Sequence, residues 1–463
     1  MSEPVRGDTL TALDPMALRD WVERQRWYAS KSRHVTQVDL LEAAMLGDEP
    51  PLLVLALLQT GFATGTHELY SLPLGMRPVD SDGPEAITET GGWSVYDALA
   101  DPDLGRLLVR SVDETDELEA EDGRFSFHLV DERLDLAEDA SVRPMGVEQS
   151  NSSLVFDERV VAKLFRKLEP GLNPELEMLR FLTAHAFENV APLYGWAEYE
   201  GGSLLATLAV VQRFFPDGTD GWELALDEIT SEPEALLEQL AALGEATAGM
   251  HSVLASDATD PAFAPEEPSQ EALSLLTATV DEDIERVFAR LPDQPALAPI
   301  AGWGQDVQEH LAMLAKVGTG GRVIRTHGDY HLGQTLLTPR GWVILDFEGE
   351  PARSLPERRQ KRSPLRDVAG MLRSFAYVAS AAQIQRGVEA PENWEERARE
   401  TFLAHYLAHV EPSLLPRGEQ SIANLLAVFE LEKAVYELGY ELDNRPDWVS
   451  IPVAGITRLL DAS

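Results

Sequence analysis

The chain has no cysteine among its 463 residues. That excludes disulfide bonds, a thiol nucleophile and thiolate-ligated metals, and makes a reducing, cytoplasmic setting the expectation. It also lacks an uninterrupted apolar run of about 18 residues, the length a membrane-crossing helix needs. Its start, Met1-Ser2-Glu3-Pro4-Val5-Arg6, has neither the basic nor the apolar stretch of a secretory signal, so no membrane partner is expected. Basic residues are scarce, with 38 Lys and Arg against 79 Asp and Glu and a formal net charge of −41. A surface of that sign repels phosphate backbones over a Debye length, about 10 Å at moderate salt, and argues against nucleic-acid binding. The Gly-x-Ser-x-Gly signature of a serine hydrolase is missing, and no repeat of roughly 20 to 50 residues recurs.

What is present is enough apolar material for substantial cores: 44% hydrophobic residues, with 9 Trp, 15 Phe and 10 Tyr. The length implies two or three domains or lobes. Residues 1–90 read as a small mixed α/β cap, opened by a helix from Asp14 to Arg26 with Asp14 as N-cap and Pro15 at its first position. Residues 91–213 read as a β-rich lobe that binds nucleotide. Helices near Ser94–Leu99 and Leu104–Val112 precede strands at Phe125–Leu129, Ser153–Phe156 and Val160–Phe165, a helix at Glu175–Ala186, and strands at Pro192–Glu198 and Leu204–Phe214. Residues 214–463 read as mainly helical, with amphipathic stretches at Pro233–Ala255, Glu271–Arg290 and Asp306–Ala315. The fold class is therefore α+β, and this order resembles the bilobal protein-kinase fold behind a cap.

The chemistry is concentrated in Thr326-His327-Gly328-Asp329-Tyr330-His331-Leu332-Gly333-Gln334 and Val343-Ile344-Leu345-Asp346-Phe347-Glu348. Phosphoryl transfer needs a carboxylate to orient the attacking hydroxyl, and oxygen ligands for a divalent cation. Asp329 supplies the first. Two short strands closed by Thr338-Pro339-Arg340-Gly341 would return Asp346 to Gln334, so these two are the expected Mg²⁺ ligands. His327 and Gly328 brace the loop, and His331 is grouped with the acceptor residues. Lys163, on the Val160–Phe165 strand, would hold phosphates, with Glu177 as the first choice of positioning carboxylate and Glu175 as the second. Between Glu148 and Ser153 there is no glycine, so phosphate contacts are assigned to Ser150, Asn151 and Ser152. Gln212 and Phe214, where the last strand reaches the hinge, complete the ATP residues. On the acceptor side, Lys433, Tyr436, Glu437 and Tyr440 share a helical face. A cation, an acid and two aromatic rings suit a sugar, and Glu348 and Glu350 would reach the same pocket.

Glu148-Gln149-Ser150-Asn151-Ser152-Ser153, the His327–Gln334 string, Asp346-Phe347-Glu348-Gly349-Glu350-Pro351, the run from Ser363 to Phe375 and Glu432-Lys433-Ala434-Val435-Tyr436-Glu437 together resemble the maltokinases. These belong to the aminoglycoside-phosphotransferase-like branch of the kinase fold. Arg24-Gln25-Arg26-Trp27-Tyr28 is similar to the entry of that family's N-terminal cap. The resemblance implies transfer of the ATP γ-phosphoryl group to the anomeric hydroxyl of maltose, giving maltose 1-phosphate and ADP for α-glucan synthesis. It implies Asp329 as base, Gln334 and Asp346 as metal ligands and Lys163 on phosphate; separately, a monomer or weak dimer is expected. A kinase of another small sugar or amino sugar is the alternative, and a nucleotide-binding pseudoenzyme a more distant one. Lys361 and Arg362 form a basic patch without an assigned role.

Overall fold

The computed structural model describes residues 14–461 apart from 29, 48, 132, 147–149, 293, 316–319 and 352. The chain divides into two compact units, Met1–Arg180 with Ala191–Pro216, and Phe181–Val190 with Asp217–Ser463.

The first unit is built on two seven-stranded sheets. Its opening helix, Pro15–Arg24, begins where the Asp14 carboxylate accepts the Met16 N–H, and it buries Leu18 and Val22 one turn apart. The strands that follow are β1 (Val35–Leu46), β2 (Leu52–Phe62), β3 (His67–Ser71), β4 (Leu74–Pro78), β5 (Thr88–Thr90) and β6 (Trp93–Asp97). Every residue from Leu52 to Leu58 is buried. A continuous apolar run of this kind belongs at the centre of a sheet covered on both faces, and β2 pairs with β1, β3 and β4.

The segment Ser94–Leu99, expected as a helix, is instead β6 followed by a short 3₁₀ turn, Ala98–Ala100. Six residues are too few to nucleate a helix unaided, whereas the edge of β4 satisfies the backbone from Trp93 to Asp97 and buries Val95 and Tyr96. Residue 90 thus falls inside the first sheet. That sheet also recruits β12 (Lys167–Leu168), which pairs with β3.

The second sheet comprises β7 (Glu117–Glu119), β8 (Gly123–Leu129), β9 (Val142–Pro144), β10 (Asn151–Phe156), β11 (Val160–Phe165), β13 (Leu193–Gly201) and β14 (Leu204–Arg213). Its order is β7-β8-β13-β14-β11-β10-β9. The Pro102–Glu114 helix packs on it through Gly105, whose missing side chain admits Leu154 and Val142.

The second unit is dominated by helices, chief among them Gly221–Ser231, Pro233–Leu254, Gln270–Phe288, Gly304–Ala315, Leu365–Arg386, Trp394–His409, Glu419–Asn444 and Ser450–Asp461. One three-stranded sheet interrupts them, ordered β15 (Thr219–Asp220), β16 (Thr335–Thr338), β17 (Gly341–Ile344). Val280, Ile284, Val307, Leu431, Val435, Leu438 and Ile456 share one buried cluster in this unit. Among the described residues no helix is long and apolar enough to cross a membrane.

Candidate active site

The β16–β17 hairpin pairs Thr335 with Ile344 and Thr338 with Gly341. Its register returns the chain so that the Leu345 N–H donates to the Gln334 carbonyl at 2.9 Å. The next residue, Asp346, therefore meets Gln334, whose Nε2 donates to Asp346 Oδ2 at 3.2 Å. Asp346 holds φ at +59°, a left-handed conformation that a non-glycine residue keeps only where its surroundings over-determine it, typically at a functional site. With Nε2 engaged, Gln334 retains its amide oxygen. An amide oxygen and a carboxylate form an oxygen-only donor set, which fits a hard cation such as Mg²⁺.

Ahead of the hairpin, the loop carrying Asp329 hangs from a buried carboxylate. Asp367 Oδ2 accepts the His327 N–H at 2.8 Å and its Oδ1 accepts the Gly328 N–H at 3.0 Å. His251 Nε2 donates to the same carboxylate at 3.1 Å while Nδ1 accepts from the Tyr406 hydroxyl at 3.0 Å. Burial alone would raise the Asp367 pKa; His251, His327 and the Gly328 N–H outweigh it and hold the group below its ordinary value. His327 donates through Nε2 to the Leu345 carbonyl at 2.8 Å, its ring between Tyr330 and Phe347. The Leu365–Arg386 helix comes close enough that a Cβ on Gly370 would stand 2.6 Å from the Tyr330 carbonyl oxygen. Only glycine fits that approach.

His331, grouped with the acceptor residues from the sequence, caps the short Leu332–Gln334 helical turn instead, its Nδ1 accepting the Gly333 N–H at 3.1 Å. Burial pushes its pKa down against the opposing pull of Asp329. The imidazole is thus neutral and carries the lone pair that the cap requires.

Asp329 begins a chain of charges. Lys433 Nζ donates to Asp329 Oδ1 at 3.2 Å and lies 3.7 Å from Glu350 Oε1. Arg366 Nη2 bridges Glu432 at 3.0 Å and Glu350 at 3.4 Å, and Arg353 engages the same two carboxylates. Burial would lower the Lys433 pKa, but Asp329 and Glu350 raise it to about 12. Burial would likewise raise Glu350, which Arg366, Lys433 and Arg353 hold below the usual carboxylate value. Gly328, Tyr330, Glu350, Arg366, Glu432, Lys433 and Tyr436 line one pocket.

The other acceptor-side residues separate. Tyr436 reaches that pocket, with Lys433 Nζ 5.4 Å from its ring centroid. Glu437, expected in the acceptor pocket, is buried against Arg373, which donates from Nε at 3.0 Å and from Nη2 at 2.7 Å. A fully buried guanidinium needs that carboxylate, so Glu437 is committed to the helix interface. Tyr440 is half exposed, with Arg445 over its ring. Glu350 lines the pocket; Glu348, two residues earlier, gives its carbonyl to Arg358. Lys361 Nζ donates to the Pro261 carbonyl at 2.8 Å and pairs with Glu266. The Arg362 backbone bridges to Ile324, on the approach to the Asp329 loop.

In the first unit, Lys163 Nζ donates to Glu175 Oε2 at 2.8 Å. This corrects the first choice, Glu177. Asn173 caps the Pro174–Ala184 helix by accepting the Glu175 and Leu176 N–H groups, and the cap sets the helical phase so that Glu175 points at β11. Asn151 and Ser152, expected in a phosphate loop, are already in β10, opposite Phe165 and Leu164. Ser152 Oγ accepts from Arg166 Nε at 2.9 Å, and Arg166 also reaches Asp97 at 2.7 Å. Ser150 is an exposed bend before β10; Glu148 and Gln149 lie outside the described residues. Gln212 pairs with Val161 and donates to the Ala191 carbonyl at 3.1 Å, and the Phe214 N–H donates to Arg159.

Asp367, His251, Arg366 and Glu432 carry the site without having been singled out. A charged side chain inside an otherwise apolar helical run, as Asp367 and Arg373 are in Leu365–Arg386, is the signal that marks them, because a buried charge requires a partner.

Residues 140–400 match the phosphotransferase enzyme family and residues 21–101 match the maltokinase N-terminal cap domain. The chain belongs to the phosphotransferase enzyme family. It is similar to a glucosamine kinase of Mycolicibacterium smegmatis, 29% identical over 330 residues covering 69% of this chain and 79% of the relative. A glucosamine kinase of Streptacidiphilus jiangxiensis is 26% identical over 327 residues, covering 68% and 72%. A solved glucosamine kinase in complex with glucosamine, ADP and inorganic phosphate superposes with a TM-score of 0.73 at 20% identity, across 99% of this chain and all of that one. At that identity the match speaks for the shared α+β, kinase-like fold.

Proposed function

We propose that the protein is an ATP-dependent sugar kinase whose acceptor is the neutral disaccharide maltose, phosphorylated at its anomeric hydroxyl. The observation that carries this reading is the placement of Lys433 against Asp329, at 3.2 Å, in a pocket where Arg353 and Arg366 are paired with two of the lining acids, Glu350 and Glu432. A cation beside the base disfavours an ammonium-bearing acceptor by like-charge repulsion. Neutral hydroxyls, by contrast, find donors in Lys433 and an acceptor in Glu432 Oε2, which is buried without a partner among the described residues. The maltokinase-type cap over residues 21–101 supports the same acceptor.

In this reading Lys433 holds Asp329 Oδ1 and leaves Oδ2 to orient the sugar hydroxyl and take its proton. Lys163, positioned by Glu175, binds ATP phosphates as a point charge. Gln334 and Asp346 hold Mg²⁺, which when bound supplies positive charge against the phosphates. Asp367 and His251 keep the Asp329 loop in place. The acceptor hydroxyl gains the phosphoryl group, ADP leaves, and the proton departs through Asp329.

Glucosamine is the second reading, favoured by the relatives named for it. An ADP-release assay on maltose, glucose, glucosamine and an aminoglycoside separates them. The maltose reading expects the highest kcat/KM on maltose; a higher value on glucosamine overturns the acceptor and leaves the phosphotransfer roles standing.

A further inference from the structure

The Pro233–Leu254 and Trp394–His409 helices cross tightly at Gly244, where an added Cβ would stand 2.5 Å from the Phe402 carbonyl oxygen and 3.2 Å from the His405 Cβ. The crossing sets the next residue, Glu245, against His405, with Oε1 and Nδ1 2.8 Å apart. His409 lies four residues further along the same helix, on the same face. The two imidazoles stack at 6.3 Å with an interplanar angle of 17°. His409 Nδ1 donates to the His405 carbonyl at 2.8 Å, which leaves its Nε2 lone pair outward. One donor atom from each of Glu245, His405 and His409 lies within 4.8 Å of the others.

We propose that Glu245, His405 and His409 form a binding site for a divalent transition metal of the Zn²⁺ class, which clamps the two helices. Two imidazoles and a carboxylate, with a fourth position open to water, form a recognised zinc donor set, while Mg²⁺ prefers oxygen alone. A tetrahedral ion with bonds of about 2.0–2.1 Å needs donors about 3.4 Å apart. Rotation of the exposed Glu245 and His409 side chains covers that difference. The ion replaces the contact between Glu245 and His405, and any proton on His405 is released to solvent. The net charge of −41 raises the local concentration of cations. The same helices carry His251 and Tyr406, the pair behind Asp367, so a clamp here stiffens the support of the Asp329 loop.

The test uses the metal-free full chain with excess Mg²⁺, so that oxygen sites are occupied, titrated with ZnCl₂ by calorimetry and by thermal unfolding. Saturable one-to-one binding with a Zn²⁺-dependent rise in Tm is expected. His409→Gln and Glu245→Gln should each weaken affinity at least tenfold and abolish the rise, with metal-free Tm and kinase turnover unchanged in His409→Gln. As a second readout, Co²⁺ should give visible absorption bands of tetrahedral imidazole ligation that His405→Gln removes. Absence of saturable binding, or equal affinity in the wild type and both variants, overturns the proposal. Because the readouts are metal binding and stability, the outcome is independent of which sugar the enzyme phosphorylates.

Discussion

The two units place their functional charges by different means. In the first, Lys163 and Glu175 are 12 residues apart, on a strand and the helix that follows it. In the second, Asp329 meets Lys433 across 104 residues and His251 meets Asp367 across 116. A short connection lets local propensity and one helix cap decide the pairing. A long one is decided by how helices pack, because loop closure and burial have to be satisfied together. The first unit thus sets Lys163 against Glu175 over a short connection, and the second joins Asp329, Lys433, Glu350, Arg366 and Glu432 over long ones.

That contrast can be broken or sharpened by substitution. The largest effect is expected for Asp329→Asn, which should lower kcat by about 10³-fold while Mg·ATP affinity stays close to wild type, since general-base contributions run about 10²–10⁴. Single-turnover kinetics with parallel nucleotide binding checks it, and substantial remaining turnover removes Asp329 as the base. Asp367→Asn should follow. It leaves His251 and two backbone N–H groups without their buried carboxylate and should destabilise by about 3 kcal/mol or more, read as a fall in Tm or urea midpoint; a change within error would demote this anchor.

Glu175→Gln should weaken ATP use by roughly 10- to 100-fold, the scale of one charge-assisted hydrogen bond. Glu177→Gln should have much less effect, and the reverse ranking in KM for ATP would restore the order inferred from sequence. The smallest effect is on alkaline stability. Lys433 is raised from 10.5 to about 12 in the folded protein, so its contribution is complete below about pH 10.5 and lost as pH rises through about 12. Lys433→Met should flatten that part of the stability curve, and an unchanged alkaline limb would show that the network does not depend on this cation.

Much of the fold was legible in local pattern. The β16–β17 hairpin, β10, β11 and the Pro233–Leu254 helix lie where alternation, turn residues and helical periodicity place them. Ser94–Leu99 is a strand and a 3₁₀ turn rather than a helix because six residues of ambiguous pattern take their state from the strand beside them. Sequence does not separate Glu175 from Glu177, because it leaves open the helical phase that Asn173 sets. The spacing of Glu437 from Lys433 says which helical face it occupies and not what packs there. What packs there is Arg373.

Sequence alone determined the class of chemistry. An aspartate, a glutamine five residues later and a second aspartate beyond a tight hairpin are held at their spacing by covalent connection and two short strands, so their juxtaposition requires no distant partner. The tertiary structure decided which side chains surround that chemistry. Asp367 became the anchor of the loop, Lys433 the partner of Asp329, and Glu350 and Glu432 the arginine-matched floor of the pocket. These are contacts between helices far apart in the chain. Their identities depend on which face each helix buries, and burial is settled only when all the helices pack at once.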